Sequence, residues 1–275
     1  MPQGLLNFVK VTRASFTCLK ESIRIVYLSE IIQAHESVSL ATYIADKAPL
    51  FYRTLPTIIS SLGEGYFVST MKETLARLPT NDSFRESHFA EIASCIFAEE
   101  VMGLKRLYSK LSLLTAENAN AFKMDLVLYK PGSSPVEFVL AEVKSSPKTS
   151  DDGLPAGHDK ACFAALFDSF NKYGEGDLSF DLSAAKDHVE ALNPAERDLV
   201  RQALMPYGDR VISYAGLVII DHSTKSDDEI TLLATRKNAK RFDVDVICVE
   251  GFPKVADSAY RQLEVIRNAC SQSKS

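Results

Sequence analysis

The sequence predicts an α/β protein: a mostly buried mixed sheet with helices on its faces, preceded by an N-terminal α+β extension. Three observations point there. From residue 84 onward the pattern runs helix, strand, strand, helix, helix, strand, strand, helix, an order that places strands in one sheet and helices over it. The strand-like runs VEFVLAEV (136–143), VISYAGLVIID (211–221) and VDVICVE (244–250) are mainly apolar, as strands covered on both faces are. The 275 residues are 46% hydrophobic and 24% charged, which supplies a core for one large domain or two modest ones.

Each element has its local reason. GLLNFVKV (4–11) and IRIVYL (23–28) read as short strands. Residues 40–61 and 67–78 carry helical patterns, with Pro49 and Pro56 as breakers. Pro79 and the run Thr80–Ser83 mark a boundary. Residues 1–80 are therefore read as an N-terminal region without a chemical motif, expected to dock a partner, and residues 81–275 as the main unit. Asn81, Asp82 and Ser83 are N-cap residues for a helix over 84–104, where Phe89, Ile92, Ala93 and Ile96 share a face. FKMDLVLY (122–129) reads as a strand, Pro131 to Pro135 as a turn, and the run from Val136 as its hairpin partner. Helices are expected over 159–171, 182–204 and 257–270, and a polar loop over 145–157.

The formal net charge is −5. A protein that holds nucleic acid by bulk electrostatics is usually basic, so such contact here has to be local or aided by a metal. No run approaches the roughly eighteen apolar residues of a membrane helix. The first residues lack signal-peptide features, and the expected location is the cytoplasm. The five cysteines are scattered without a C-x-x-C pair, which argues for free thiols rather than a disulfide framework or a zinc site. P-loop, G-x-S-x-G and H-E-x-x-H motifs are absent. The histidines have no ligand-like spacing, and His158 reads as a loop residue.

The residues that demand a reason are Asp125, Glu142 and Lys144. Residues two apart on a strand share a face, so Glu142 and Lys144 project together at the end of an apolar run. Charges there are costly unless paired or bound to a metal. Mutual pairing of Glu142 with Lys144 as an ordinary ion pair is one reading. Metal binding is the other: carboxylates hold hard divalent ions, which activate water and stabilise charge on a phosphate, and a neighbouring lysine orients or deprotonates that water. Two basic groups stand ready for a polyanion. Lys105, Arg106 and Lys110 follow the long helix, and Arg236, Lys237, Lys240 and Arg241 form a denser run, with a solvated charged face as the alternative. Lys148 and Lys160 flank the loop after the E-x-K strand.

Asp125, sixteen intervening residues, then Glu-x-Lys resembles the PD-(D/E)xK nuclease superfamily and its restriction-endonuclease-like fold, with Met124 where that pattern often has proline. The resemblance implies a fourth member, a Glu from the preceding helix. Glu91 stands in that position, with Glu99 and Glu100 as competitors. It implies Glu91, Asp125 and Glu142 as metal ligands, Lys144 as the catalytic base or stabiliser, and Mg²⁺, with Mn²⁺ as a substitute. More closely, HFAEIASCIFAEEVMGLKRLYSKL, KMDLVLY and VLAEVKSS resemble the nuclease-subunit family of the Hachiman anti-phage defence system, the HamA family, over about residues 84–146. That resemblance implies cleavage of DNA and a superfamily 2 helicase subunit, HamB-like, as partner. The competing expectation is a catalytically silent scaffold of the same fold that binds DNA or a helicase; an RNA-cleaving member is a third.

Overall fold

In the computed structural model, which describes residues 4–17, 22–29, 39–113, 124–149, 160–226, 230 and 240–272, the most apolar strands lie at the middle of a sheet. The described strands are β1 (Val9–Thr17), β2 (Ser22–Leu28), β3 (Lys105–Ser109), β4 (Leu126–Lys130), β5 (Val136–Ser146), β6 (Arg210–Asp221) and β7 (Asp243–Val249). They form one seven-stranded sheet in the order β1-β2-β7-β6-β5-β4-β3. β2, β7, β6 and β5 run parallel to one another, while β1 and the pair β3–β4 add antiparallel strands at the two sides. The sheet is mixed and covered on both faces, as the sequence predicts.

Alternation along the central strands sorts side chains into two cores. Val139, Ala141 and Val143 of β5, with Leu217 and Ile219 of β6, face a layer made by α1 (Leu40–Lys47), α2 (Pro49–Tyr52), α4 (Phe67–Leu75), α5 (Asp82–Glu100) and α9 (Phe252–Gln272). Val136, Phe138 and Leu140 of β5, with Val218 and Ile220 of β6, face α6 (Lys160–Lys172), α7 (Glu175–His188) and α8 (Pro194–Ala203). Helix α3 (Leu55–Gly63) packs beside α4. Helix α5 is the spine of its layer. Every residue from His88 to Ala98 is buried, because the sheet covers one side and α1 and α9 cover the others. The single apolar face expected from the sequence therefore understates its burial. Asn81 caps its start by accepting from the Ser83 N–H at 2.9 Å. Beyond its end the chain turns at Gly103, whose φ of 72° suits glycine.

Several elements differ from the sequence reading. Residues 5–8 form a 3-10 turn ahead of β1 rather than part of a strand. The helix expected over 182–204 is two helices, broken where Asn193 accepts from Glu196 N at 3.0 Å and Pro194 starts α8. The last helix begins at Phe252 rather than Asp257. β3 was not legible as a strand. It is only five residues long, and two of them are exposed or half-exposed cations. Residues 1–80 are not set apart from the rest. β2 pairs with β7 along Ile23–Leu28, and Leu5, Phe8, Leu40 and Phe51 sit in the same core as α5 and β5.

One close approach ties the sheet to α6. Gly216 of β6 lies opposite Glu142 of β5, and a Cβ there would stand 2.6 Å from Leu166 Cδ2 of α6. Gly216→Val is expected to cost about 1–3 kcal/mol by overpacking, and Leu166→Ala about 2–5 kcal/mol through the cavity it leaves. Because the new methyls would fill that cavity, the double variant should cost less than the sum in urea unfolding. Simple additivity would disprove the contact.

Candidate active site

The hairpin of β4 and β5 pairs Leu126 with Ala141, which places Asp125 beside Glu142 at the entry to β4. Asp125 is 3% exposed, and both its oxygens are occupied. Oδ2 accepts from the Val143 N–H at 2.7 Å, and Oδ1 accepts from Lys110 Nζ. The first of these bonds ties the two strands together at the point where β5 carries its charges. Lys110 follows β3, and its own N–H donates to the Asp125 carbonyl at 2.8 Å. Glu91 reaches the same place from α5, with Oε1 3.9 Å from Lys110 Nζ. Its other oxygen, Oε2, is buried and has no hydrogen-bond partner among the described residues.

Glu142 and Lys144 project together, as strand period requires, and their own pair closes at 2.6 Å. They leave β5 on the face opposite Val143. Glu142 shares that face with Gly216 and α6 and also receives a hydrogen bond from Ser169 of α6. Glu91 comes from the other helical layer. Three carboxylates and two ammonium groups thus meet around the ends of β4 and β5, but they divide into two pairings, Lys110 with Asp125 and Glu91, and Lys144 with Glu142.

Burial sets the electrostatics. It raises the Glu91 carboxyl, helped by the charge of Asp125 and opposed by Lys110. Glu142 is also raised, by burial first and then by Asp125, while Lys144 and Ser169 work against the shift. For Lys110 burial favours the neutral amine, but Asp125 and Glu91 outweigh it and keep the ammonium charged.

The site opens into a cleft of about 320 Å³ lined by Glu86, Glu91, Lys110, Asp125, Lys144 and Pro147, among others. The donors suit a hard divalent ion: all are carboxylate oxygens, and the orphaned Glu91 Oε2 is an oxygen that a cation would satisfy. Among the described residues, however, no three His, Cys, Asp or Glu side chains stand close enough together to hold a metal ion. Glu91 and Asp125 are the pair that fits, and Lys110 stands between them.

The remaining candidates are dispersed. Glu99 lies 3.8 Å from Arg106, and Glu100 takes Lys47 at 2.6 Å, so both competitors of Glu91 are engaged away from the cleft. Lys105 pairs with Glu196, and the Arg106 guanidinium lies 4.0 Å from the Phe51 ring centroid. Lys148 is exposed on a second cleft, about 690 Å³, that shares Glu86 and Pro147 with the first. Lys160 opens α6, but its side chain lies outside the described residues, as do Arg236, Lys237 and His158. Lys240 lies over the Tyr173 and Tyr214 rings at 5.9 and 5.7 Å, and Arg241 is exposed beside it. Neither lines the acidic cleft. Sequence reasoning missed the place of Lys110, grouped with its basic neighbours because β3 was unrecognised, and that of Ser169. Only strand pairing brings Lys110 to Asp125.

An Asp at a strand entry, an E-x-K on the hairpin partner and a Glu from the preceding helix, around a mixed sheet flanked by helices, define the PD-(D/E)xK-like class. A family model named HamA matches residues 6–262, and the chain belongs to the HamA family. No curated protein matches. Among solved structures, the chain is similar to the restriction endonuclease FokI bound to DNA, at 13% identity and a TM-score of 0.24, over 84% of this chain and 32% of that one. The chain thus spans about a third of that structure's length. Among the described residues, no helix is long and apolar enough to cross a membrane.

Behind Glu91, one turn back on α5, His88 is held by Tyr52 at 2.8 Å, and burial with the charge of Lys110 lowers it to about 4. A histidine depressed from its usual 6.5 stays neutral in the fold while the unfolded chain takes up a proton. The fold should therefore lose up to about 3 kcal/mol as pH falls from about 6.5 to 4. Urea unfolding at the two ends of that window should show a steeper acid loss for the wild type than for His88→Gln. Equal losses would refute the assignment.

Proposed function

We propose that this chain is a metal-dependent DNA nuclease, the effector subunit of an anti-phage complex with a superfamily 2 helicase partner. The observation that carries this reading is the meeting of Glu91 and Asp125 at the end of the hairpin that bears Glu142 and Lys144. Glu91, Asp125 and Glu142 would hold Mg²⁺, or Mn²⁺ in its place. Bound there, the ion supplies an acidified water and a Lewis acid for a phosphate oxygen. Lys144, held by Glu142 at the rim of the cleft, would orient the attacking water and offset charge on the phosphate. Lys148 lies on the adjoining cleft together with Lys254, and both offer phosphate contacts along a path into the site. Lys160, Arg236, Lys237, Lys240 and Arg241 are the further candidates for such contacts.

The second reading is a catalytically silent scaffold that binds DNA or a helicase. It draws support from the pairing of every lysine in the site with a carboxylate. Plasmid degradation in Mg²⁺ separates the two. Wild type should degrade DNA, and Glu142→Ala with Lys144→Ala should be slower by at least about a hundredfold. Equal degradation by both proteins would sink the nuclease reading. No degradation even with the partner removed or triggered would favour the scaffold, and cleavage of RNA in preference would redirect the substrate.

The docking surface proposed for residues 1–80 has exposed apolar side chains at Ile59, Leu62 and Tyr66, at 57%, 57% and 62% exposure. Since β2 is an inner strand of the sheet, point substitutions test this better than truncation. Ile59→Asp with Leu62→Asp should abolish co-purification with the helicase subunit while leaving thermal stability within about 0.5 kcal/mol. Retained co-purification would exclude this surface.

A further inference from the structure

Lys110 has no part in the reaction above, yet it is the residue most tightly bound to the acidic pair. Its main chain and its side chain are both fixed to Asp125, the N–H to the carbonyl at 2.8 Å and the ammonium to Oδ1. The same ammonium lies 3.9 Å from Glu91 Oε1. It therefore bridges two carboxylates that come from different elements, which is the place a divalent ion would take. The side chain is 20% exposed, so its tip is at the cleft and not sealed beneath it. Beside it, the buried Glu91 Oε2 stands without a partner, so a monovalent ammonium leaves part of the site's acceptor capacity unused.

We propose that Lys110 is a built-in counter-ion of the Glu91–Asp125 pair, holding the metal-free site together and competing with the divalent ion for its position. The inference rests on the metal-dependent reading of the site and deepens it. Two exclusive states follow: one with the ammonium between the carboxylates, and one in which a metal displaces it toward the open cleft. Two cations cannot share that gap, because like charges at contact distance repel strongly in a partly buried site. The lysine also explains why three acidic side chains do not come together as they stand. With Lys110 satisfying Asp125, nothing draws Glu142 from its own partners, Lys144 and Ser169.

The test is Mn²⁺ binding to the full-length chain, followed by the loss of the free-ion electron paramagnetic resonance signal, with no nucleic acid present. Lys110→Met should bind Mn²⁺ at least about tenfold more tightly than wild type. Lys148→Met, which removes the same charge from the exposed rim, should change affinity by less than about threefold. Lys110→Gln is the second variant, able to keep a hydrogen bond to Asp125 without the charge, should the methionine variant fail to fold without metal. It too should bind more tightly. If wild type binds Mn²⁺ and the Lys110 variants bind no better, or Lys148→Met tightens binding as much, the counter-ion role is overturned and the metal site stands. If no variant nor the wild type binds Mn²⁺, the metal-dependent reading falls, and the competition falls with it.

Discussion

Asp125 receives the Val143 amide on one oxygen and the Lys110 ammonium on the other, and the arrangement of the site follows from that. Burying a carboxylate is costly unless its oxygens are paired, and both oxygens of Asp125 are. The amide compensates from within the sheet and so fixes where β4 begins relative to β5. The ammonium compensates from β3's end and so fixes the outermost strand's exit against the other two. Glu91 then enters beside a site that already carries positive charge. Without that charge, an acid on a helix buried from His88 to Ala98 would have no tolerable place.

The hairpin, the E-x-K pair and the helix that precedes them were legible in the sequence because each depends on spacing within one element or between neighbours. Strand period alone puts Glu142 and Lys144 on one face, and the apolar residues around Glu91 mark its helix. What was not legible depends on contacts between segments far apart in sequence. Lys110 reads as one more surface cation until β3 is known to pair with β4. Glu142 and Glu91 read as members of one cluster until β5 is placed between two helical layers, and then they approach from opposite sides. The break at Asn193 and Pro194 was present in the residues, but the apolar pattern on both sides of it obscured the interruption.

Residues 1–80 show the same limit from another side. Their strands are short and their helices broken by prolines, so they read as an appendage. Their role in the fold comes from a partner more than two hundred residues away: β2 pairs with β7 and is enclosed by β1 on its other side.

That pairing has a consequence for synthesis. Strands β3, β4 and β5 and helix α5 all lie within Asp82–Ser146, so the charged junction can form while β7 is still to be made. β2 has no parallel neighbour until β7, Asp243–Val249, emerges more than two hundred residues later. While the segment between them is made, at about 5–20 residues per second, the backbone donors and acceptors of β2 on that side await their partner. A nascent chain of this architecture carries an open strand edge for longer than it lacks its acidic centre, and that exposure to misassociation ends only when β7 arrives.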